Sequence, residues 1–160
     1  NKIMTKILSI IALIYLMSAN LYAETVLLKC EYKDGKLQRY KNKKPQKVEK
    51  LNDPRKEHEI KLDLALETVT DGPGTGYGST VFWKDDFITW MSDNPTVGPN
   101  DMLTIASLNR FNGKLILDRK LFKRVIEDGH YQKDSSGNWI RDMVWSSQSE
   151  YQCKKQDKLF

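Results

Sequence analysis

Residues 102–122, MLTIASLNRFNGKLILDRKLF, constrain the fold more than any other stretch of this chain. Asn112-Gly113 stands between two runs of apolar and β-favouring residues. That dipeptide tolerates the positive φ that a two-residue type I′ turn demands at both central positions. The turn predicts a hairpin in which Phe111 faces Lys114, Arg110 faces Leu115, Leu108 faces Leu117, Ala106 faces Arg119 and Thr104 faces Leu121. Met102, Ala106, Leu108, Leu115, Leu117 and Leu121 then share one face, because side chains alternate across a strand. Arg110 is expected near the rim, held by a salt bridge or a hydrogen bond to a neighbouring loop. A hairpin with one apolar face must be covered by another part of the chain.

Glu57–Glu67 offers that cover. His58, Ile60, Leu62, Leu64 and Leu66 fall on one parity and mostly charged residues on the other, as in a strand with one buried and one wet face. His58, at the end of the apolar face, reads as a rim residue rather than a ligand or base. Thr25–Tyr32 reads as the first strand, with Asp34-Gly35 as a turn behind it and Leu37–Tyr40 as a short strand pairing back. Ser79–Trp83 and Phe87–Met91 flank Lys84-Asp85-Asp86 as a second hairpin, and Glu150–Lys154 reads as the last strand. Leu121, Phe122, Val125 and Ile126 recur at helical spacing, with Gly129 where a C-cap would stand, so a short helix is expected near residues 120–128. The fold class is all-β: a single antiparallel barrel or sandwich of about seven to nine strands.

The N-terminal segment has a different character. Lys6 precedes the apolar run Ile7–Met17, and Ser18–Ala23 ends in a small residue before the polar Glu24. A basic start, a short apolar run and a small-residue cleavage site make a signal peptide over residues 1–23, leaving a single β-rich domain over 24–160. The run is too short to span a bilayer comfortably, and no later stretch is long or apolar enough, so no transmembrane anchor is expected after cleavage. The whole chain carries 26 Lys+Arg and 21 Asp+Glu. Residues 1–23 hold Lys2 and Lys6 and no acid, so the remaining domain has 24 basic against 21 acidic side chains, a net +3. Its hydrophobic content is lean for a core of this size. Cys30 and Cys153, in the first and last apolar runs of that domain, have only each other to pair with, and in an oxidising compartment they read as a disulfide. The expected location is the periplasm or the medium.

The chemistry-bearing motifs are sparse. No G-x-S-x-G, H-E-x-x-H or calcium-loop pattern occurs, and two scattered His make a zinc site improbable, so no catalytic residue, metal or cofactor is assigned. Asp71–Gly78, DGPGTGYG, is followed by a β-branched and aromatic strand rather than a helix, which excludes a phosphate cradle and leaves a wide turn or a flexible lip. The basic run from Lys36 to Lys56 reads first as a solvated edge protected by lysine against edge-to-edge pairing, and second as a site for an anionic polymer or membrane surface. Export argues against nucleic acid as a partner. Phe82, Trp83, Phe87 and Trp90 crowd one hairpin and are the candidate ligand-binding residues, for a small lipophilic ligand or an envelope component. The expected role is a non-enzymatic binding or accessory module of the cell envelope.

Two resemblances accompany these residues. A signal peptide, an early Cys, Ser107–Leu115 (SLNRFNGKL) and Tyr151–Lys155 (YQCKK) together resemble small uncharacterised exported proteins of marine proteobacteria, a likeness that implies no activity. Gly78–Trp90, GSTVFWKDDFITW, is similar to the central strand region of periplasmic inhibitors of c-type lysozyme, small β-barrels with a disulfide near their ends. That second likeness implies a lysozyme-inhibitor alternative. The chain departs from those inhibitors in length and in its basic balance, and a basic inhibitor meets basic lysozyme at an electrostatic disadvantage. An enzyme of unknown reaction is the third alternative.

Overall fold

A computed structural model describes residues 25–52, 55–76, 79–95 and 99–156. The expected signal peptide over 1–23 lies outside the described residues. Among the described residues twelve strands follow one another: β1 (Thr25–Lys41), β2 (Lys44–Pro45), β3 (Glu49–Lys50), β4 (Glu57–Asp63), β5 (Thr68–Asp71), β6 (Thr80–Trp83), β7 (Phe87–Pro95), β8 (Asn100–Asn109), β9 (Lys114–Arg124), β10 (Ile126–Glu127), β11 (His130–Tyr131) and β12 (Arg141–Lys155). Eight of them form one antiparallel path, β5-β4-β1-β12-β9-β8-β7-β6, that curls into a nearly closed barrel. The all-β class is therefore as the sequence indicates, and of the two expected architectures, barrel and sandwich, the barrel is the one formed. The edges β5 and β6 approach each other at a seam without joining the ladder.

The residues expected on the inner face of the central hairpin do point inward. Ala106, Leu108, Leu115 and Leu117 are buried, and they join Ile60, Leu62, Val69, Ile88, Trp90 and Tyr151 in one core. Each buried Val, Leu or Ile side chain among them contributes roughly 1.5–3 kcal/mol relative to exposure. Cys30 and Cys153 are direct cross-strand partners in the β1–β12 ladder and form the disulfide inside the barrel. It ties the first long strand to the last and fits an oxidising compartment.

Four local expectations are corrected. Leu108 pairs with Leu115 and Ala106 with Leu117, two residues away from the expected register. The turn is longer because Asn109 Oδ1 accepts the amides of both Phe111 and Asn112, and the amide of Gly113 donates to the Asn109 carbonyl. Only Gly113, at φ +69°, is left-handed there. A shift of two preserves every face, which is why the core assignment survives it. Positive φ at both central positions, the type I′ signature, occurs instead at Asn42-Lys43 between β1 and β2 and at Asp128-Gly129 between β10 and β11.

The expected helix near 120–128 is absent: β9 runs on to Arg124, and Ile126–Glu127 pairs back on His130–Tyr131. Gly129 serves that tight turn rather than a helix end. Asp34-Gly35 is not a turn either, because β1 continues through it with a bulge at Lys33. Gly35 is required by crowding: a Cβ there would lie 2.7 Å from the Tyr32 hydroxyl and 3.2 Å from the Gln148 carbonyl oxygen. The strand expected over Glu57–Glu67 ends at Asp63, whose Oδ1 accepts the amides of Ala65 and Leu66 and starts the turn into β5.

Asp71–Gly76, expected as a wide turn or lip, packs inward along the seam. The Trp90 indole N–H donates to the Pro73 carbonyl at 2.7 Å, and Gly74 abuts the Thr104 side chain. Tyr77 and Gly78 lie outside the described residues.

Candidate functional site

The candidate aromatic residues divide by strand parity. Trp90 is fully buried in the barrel waist. Trp83 is half-buried beneath the Arg110 guanidinium, 5.4 Å above its ring, while Arg110 Nη1 donates to the Lys84 carbonyl at 3.0 Å. Arg110 thus fastens the central turn to the β6–β7 loop, the structural role expected of it. Phe82 and Phe87 point outward, 52% and 40% exposed, and line a shallow groove with Lys84, Asp86 and Thr89. The four therefore do not converge on one site. His58 is buried with its ring 5.0 Å from that of Tyr151, so it is a core residue rather than a rim residue.

The barrel interior is filled at its waist and open at one mouth. Continuous ladders place Gly35, Ser149, Leu117, Ala106 and Trp90 in one interior row across β1, β12, β9, β8 and β7. The next row toward the mouth is Leu37, Ser147, Arg119, Thr104 and Ser92, and above it stand Arg39, Trp145 and Leu121. Interior polarity rises along this direction: Ser92, Thr104, Ser147 and Ser149 are all buried. Polar groups in an interior row are costly unless hydrogen-bonded or reached by solvent or ligand.

A cavity of about 630 Å³ opens at this end. Leu37, Leu51, Val144 and the rings of Tyr40 and Trp145 form its apolar wall, and Arg39, Arg119 and Ser147 supply its side-chain charge and hydroxyl. Among the described residues its lining holds two guanidinium groups and no carboxylate. Leu51 is held over it by local bonds: its amide donates to the Gly35 carbonyl at 2.9 Å, and its own carbonyl accepts the Tyr32 hydroxyl. The opposite mouth has a smaller cavity, about 380 Å³, between core side chains such as Val26, Leu62 and Ile88 and the 109–113 turn.

None of the large cavity's residues was among the candidate ligand-binding residues, although Leu37, Arg39, Tyr40 and Leu51 belong to the basic run weighed as an anion or membrane site. The signal was present in Arg119, which takes an inward parity between Leu117 and Leu121, and in Trp145 and Ser147, which share the parity of Cys153. An arginine in a leucine face marks where an interior becomes wet.

A second charged cluster lies outside the barrel. Arg124 grips the buried Asp101 through Nη2 at 2.7 Å and Nε at 3.1 Å. The hydrogen bond to Asp101 raises the Arg124 pKa. Arg141 Nη1 stands 3.4 Å from Asp93 and 3.6 Å from Asp101. The Arg124 guanidinium also packs 5.0 Å from the Trp139 ring and 5.7 Å from that of Tyr131, clamping the β10–β11 hairpin to the sheet. Among the described residues no group of His, Cys, Asp and Glu has the arrangement to hold a metal ion, and no helix is long and apolar enough to cross a membrane. No family model, curated protein or solved structure matches this chain.

Proposed function

We propose that the protein is a non-enzymatic binding module of the cell envelope whose wide mouth takes a small amphipathic anion, a carboxylate or sulfate on an apolar chain. The observation that carries this reading is the cavity of about 630 Å³ with apolar walls, two arginines and, among the described residues, no acid. Its volume lies in the range of small-molecule sites, which combine apolar lining with a few placed polar groups. A guanidinium forms paired hydrogen bonds to a carboxylate or sulfate, and Arg119 sits deep enough in the row to lend that contact strength from a lowered dielectric. Trp145, Tyr40 and Leu37 then cover the chain of the ligand. The disulfide supports placement in an oxidising compartment, the periplasm or the medium. This reading moves the binding residues from the Phe82–Trp90 hairpin to the mouth.

Titration calorimetry with dodecanoate tests it. The expected Kd is roughly 1–100 µM, as for a ligand of this size with one good ion pair. Arg119→Gln is expected to weaken binding at least tenfold, compared at equal folded fraction. Dodecyltrimethylammonium, with the same chain and the opposite charge, is expected not to bind. Equal binding of the cationic amphiphile, or dodecanoate affinity untouched by Arg119→Gln, overturns the reading.

A further inference from the structure

We infer that the β1–β2–β3 corner beside this mouth docks the barrel on an anionic lipid surface, with the cavity opening toward the bilayer. From Lys36 to Leu51 the chain carries seven basic residues and one acid, Glu49. All seven are exposed, and among the described residues only Lys43 has an ion-pair partner, Asp142 at 3.3 Å. The corner is built rather than loose. The β1–β2 turn is tight, the Gln46 amide donates to the Arg39 carbonyl at 2.8 Å, and β3 is laddered to β1.

That ladder sets Lys36 directly opposite Lys50 and Lys41 directly opposite Lys44. Like charges facing each other across a pair of strands repel and destabilise it. A surface of negative charge converts the repulsion into attraction, because several fixed ammonium groups then lie within a Debye length of it.

Two features favour a lipid surface over a soluble polyanion. The same corner exposes Val48, and it contributes Leu37, Tyr40 and Leu51 to the apolar cavity. Charge beside exposed apolar surface suits the bilayer interface, where both find partners. The purpose of docking, passage of an amphiphile between bilayer and mouth, rests on the proposed function; the docking itself rests on the charge and the ladder.

Sedimentation with vesicles separates the two. The protein from Glu24 onward, which contains every core side chain among the described residues and the disulfide, is mixed with phosphatidylcholine vesicles with or without about 30% phosphatidylglycerol. Binding is expected only to the anionic vesicles, and to fall steeply as salt rises toward about 300 mM. Each lysine near the surface is worth roughly a fivefold factor, so Lys41→Glu/Lys44→Glu/Lys47→Glu is expected to lose more than a hundredfold. Neutral Lys44→Gln, too mild to disturb folding, is expected to lose about fivefold. Dodecanoate affinity is expected to survive both, and Arg119→Gln to leave vesicle binding intact, so each proposal fails independently. Equal binding to neutral vesicles, no binding to either vesicle, or vesicle binding unchanged in the triple variant overturns the inference. So does binding to heparin with none to lipid.

Discussion

Gly74 and Gly129 share almost the same backbone, φ +75° and +78°, and differ in what a methyl group would meet. At Gly129 nothing lies within 4 Å, whereas at Gly74 a Cβ would stand 2.7 Å from Thr104 Cγ2. Gly129→Ala therefore isolates the conformational cost of an alanine at positive φ, about 1–2 kcal/mol. Gly74→Ala adds overpacking against an interior strand, a further ~1–3 kcal/mol. Urea denaturation followed by tryptophan emission is expected to rank them in that order by at least 1 kcal/mol. Equal costs would mean that the glycine loop does not press on Thr104. The sequence marked Gly74 only as part of a flexible-looking tract, because close approach between segments 30 residues apart leaves no local trace. Arg119 is the contrasting case: its parity was readable at once, but its meaning depended on where along the barrel the packed interior ends.

The hairpin of β6 and β7 was legible as an element, whereas the division of its aromatic residues between two faces was not. Its four aromatic residues cluster in sequence, yet Val81 pairs with Trp90 and Phe82 with Thr89, so alternation sends the first pair inward and the second outward. Trp90→Ala is expected to cost roughly 3–5 kcal/mol, since it empties a fully buried position and removes the bond to Pro73. Phe82→Ala, at a half-exposed position, is expected to cost less than about 1 kcal/mol. Equilibrium unfolding of the two variants checks the pair, and comparable losses would contradict the inward and outward assignment. Elements defined by period-2 patterning were readable in this way, β4 and the Leu face of β9 above all. Those governed by turn chemistry were less so. Asn109 capturing two amides shifted a register, Asp128-Gly129 made a hairpin where apolar spacing suggested a helix, and Gly35 answered to the crowding of Tyr32 rather than to a turn.

At the scale of the molecule, the class and the staple could be read from alternation and from two cysteines, whereas closure could not, because it depends on β1 being one bent strand of 17 residues. That strand pairs β12 on one side and β4 on the other, and the disulfide fixes it to β12, so the most deeply braced part of the barrel joins the chain's first and last strands. Opposite to it lies the seam, where β5 and β6, four residues each, have among the described residues a ladder on one side only. Stability must then fall from β1 and β12 around both sides of the barrel toward the seam. Hydrogen exchange is expected to show ladder amides of β12 and β9 opening only with global unfolding. Ladder amides of β5 and β6 are expected to exchange at least a hundredfold faster through local opening, a difference of about 2.7 kcal/mol or more. The inward-packed segment Gly72–Gly76 is what restrains that opening, through Pro73 on Trp90 and Gly74 on Thr104. Gly74→Ala is accordingly expected to speed exchange in β5 and β6 by more than it speeds exchange in β12. Equal protection on both sides of the barrel would show that the seam is zipped, and that the inner loop contributes nothing to holding it shut.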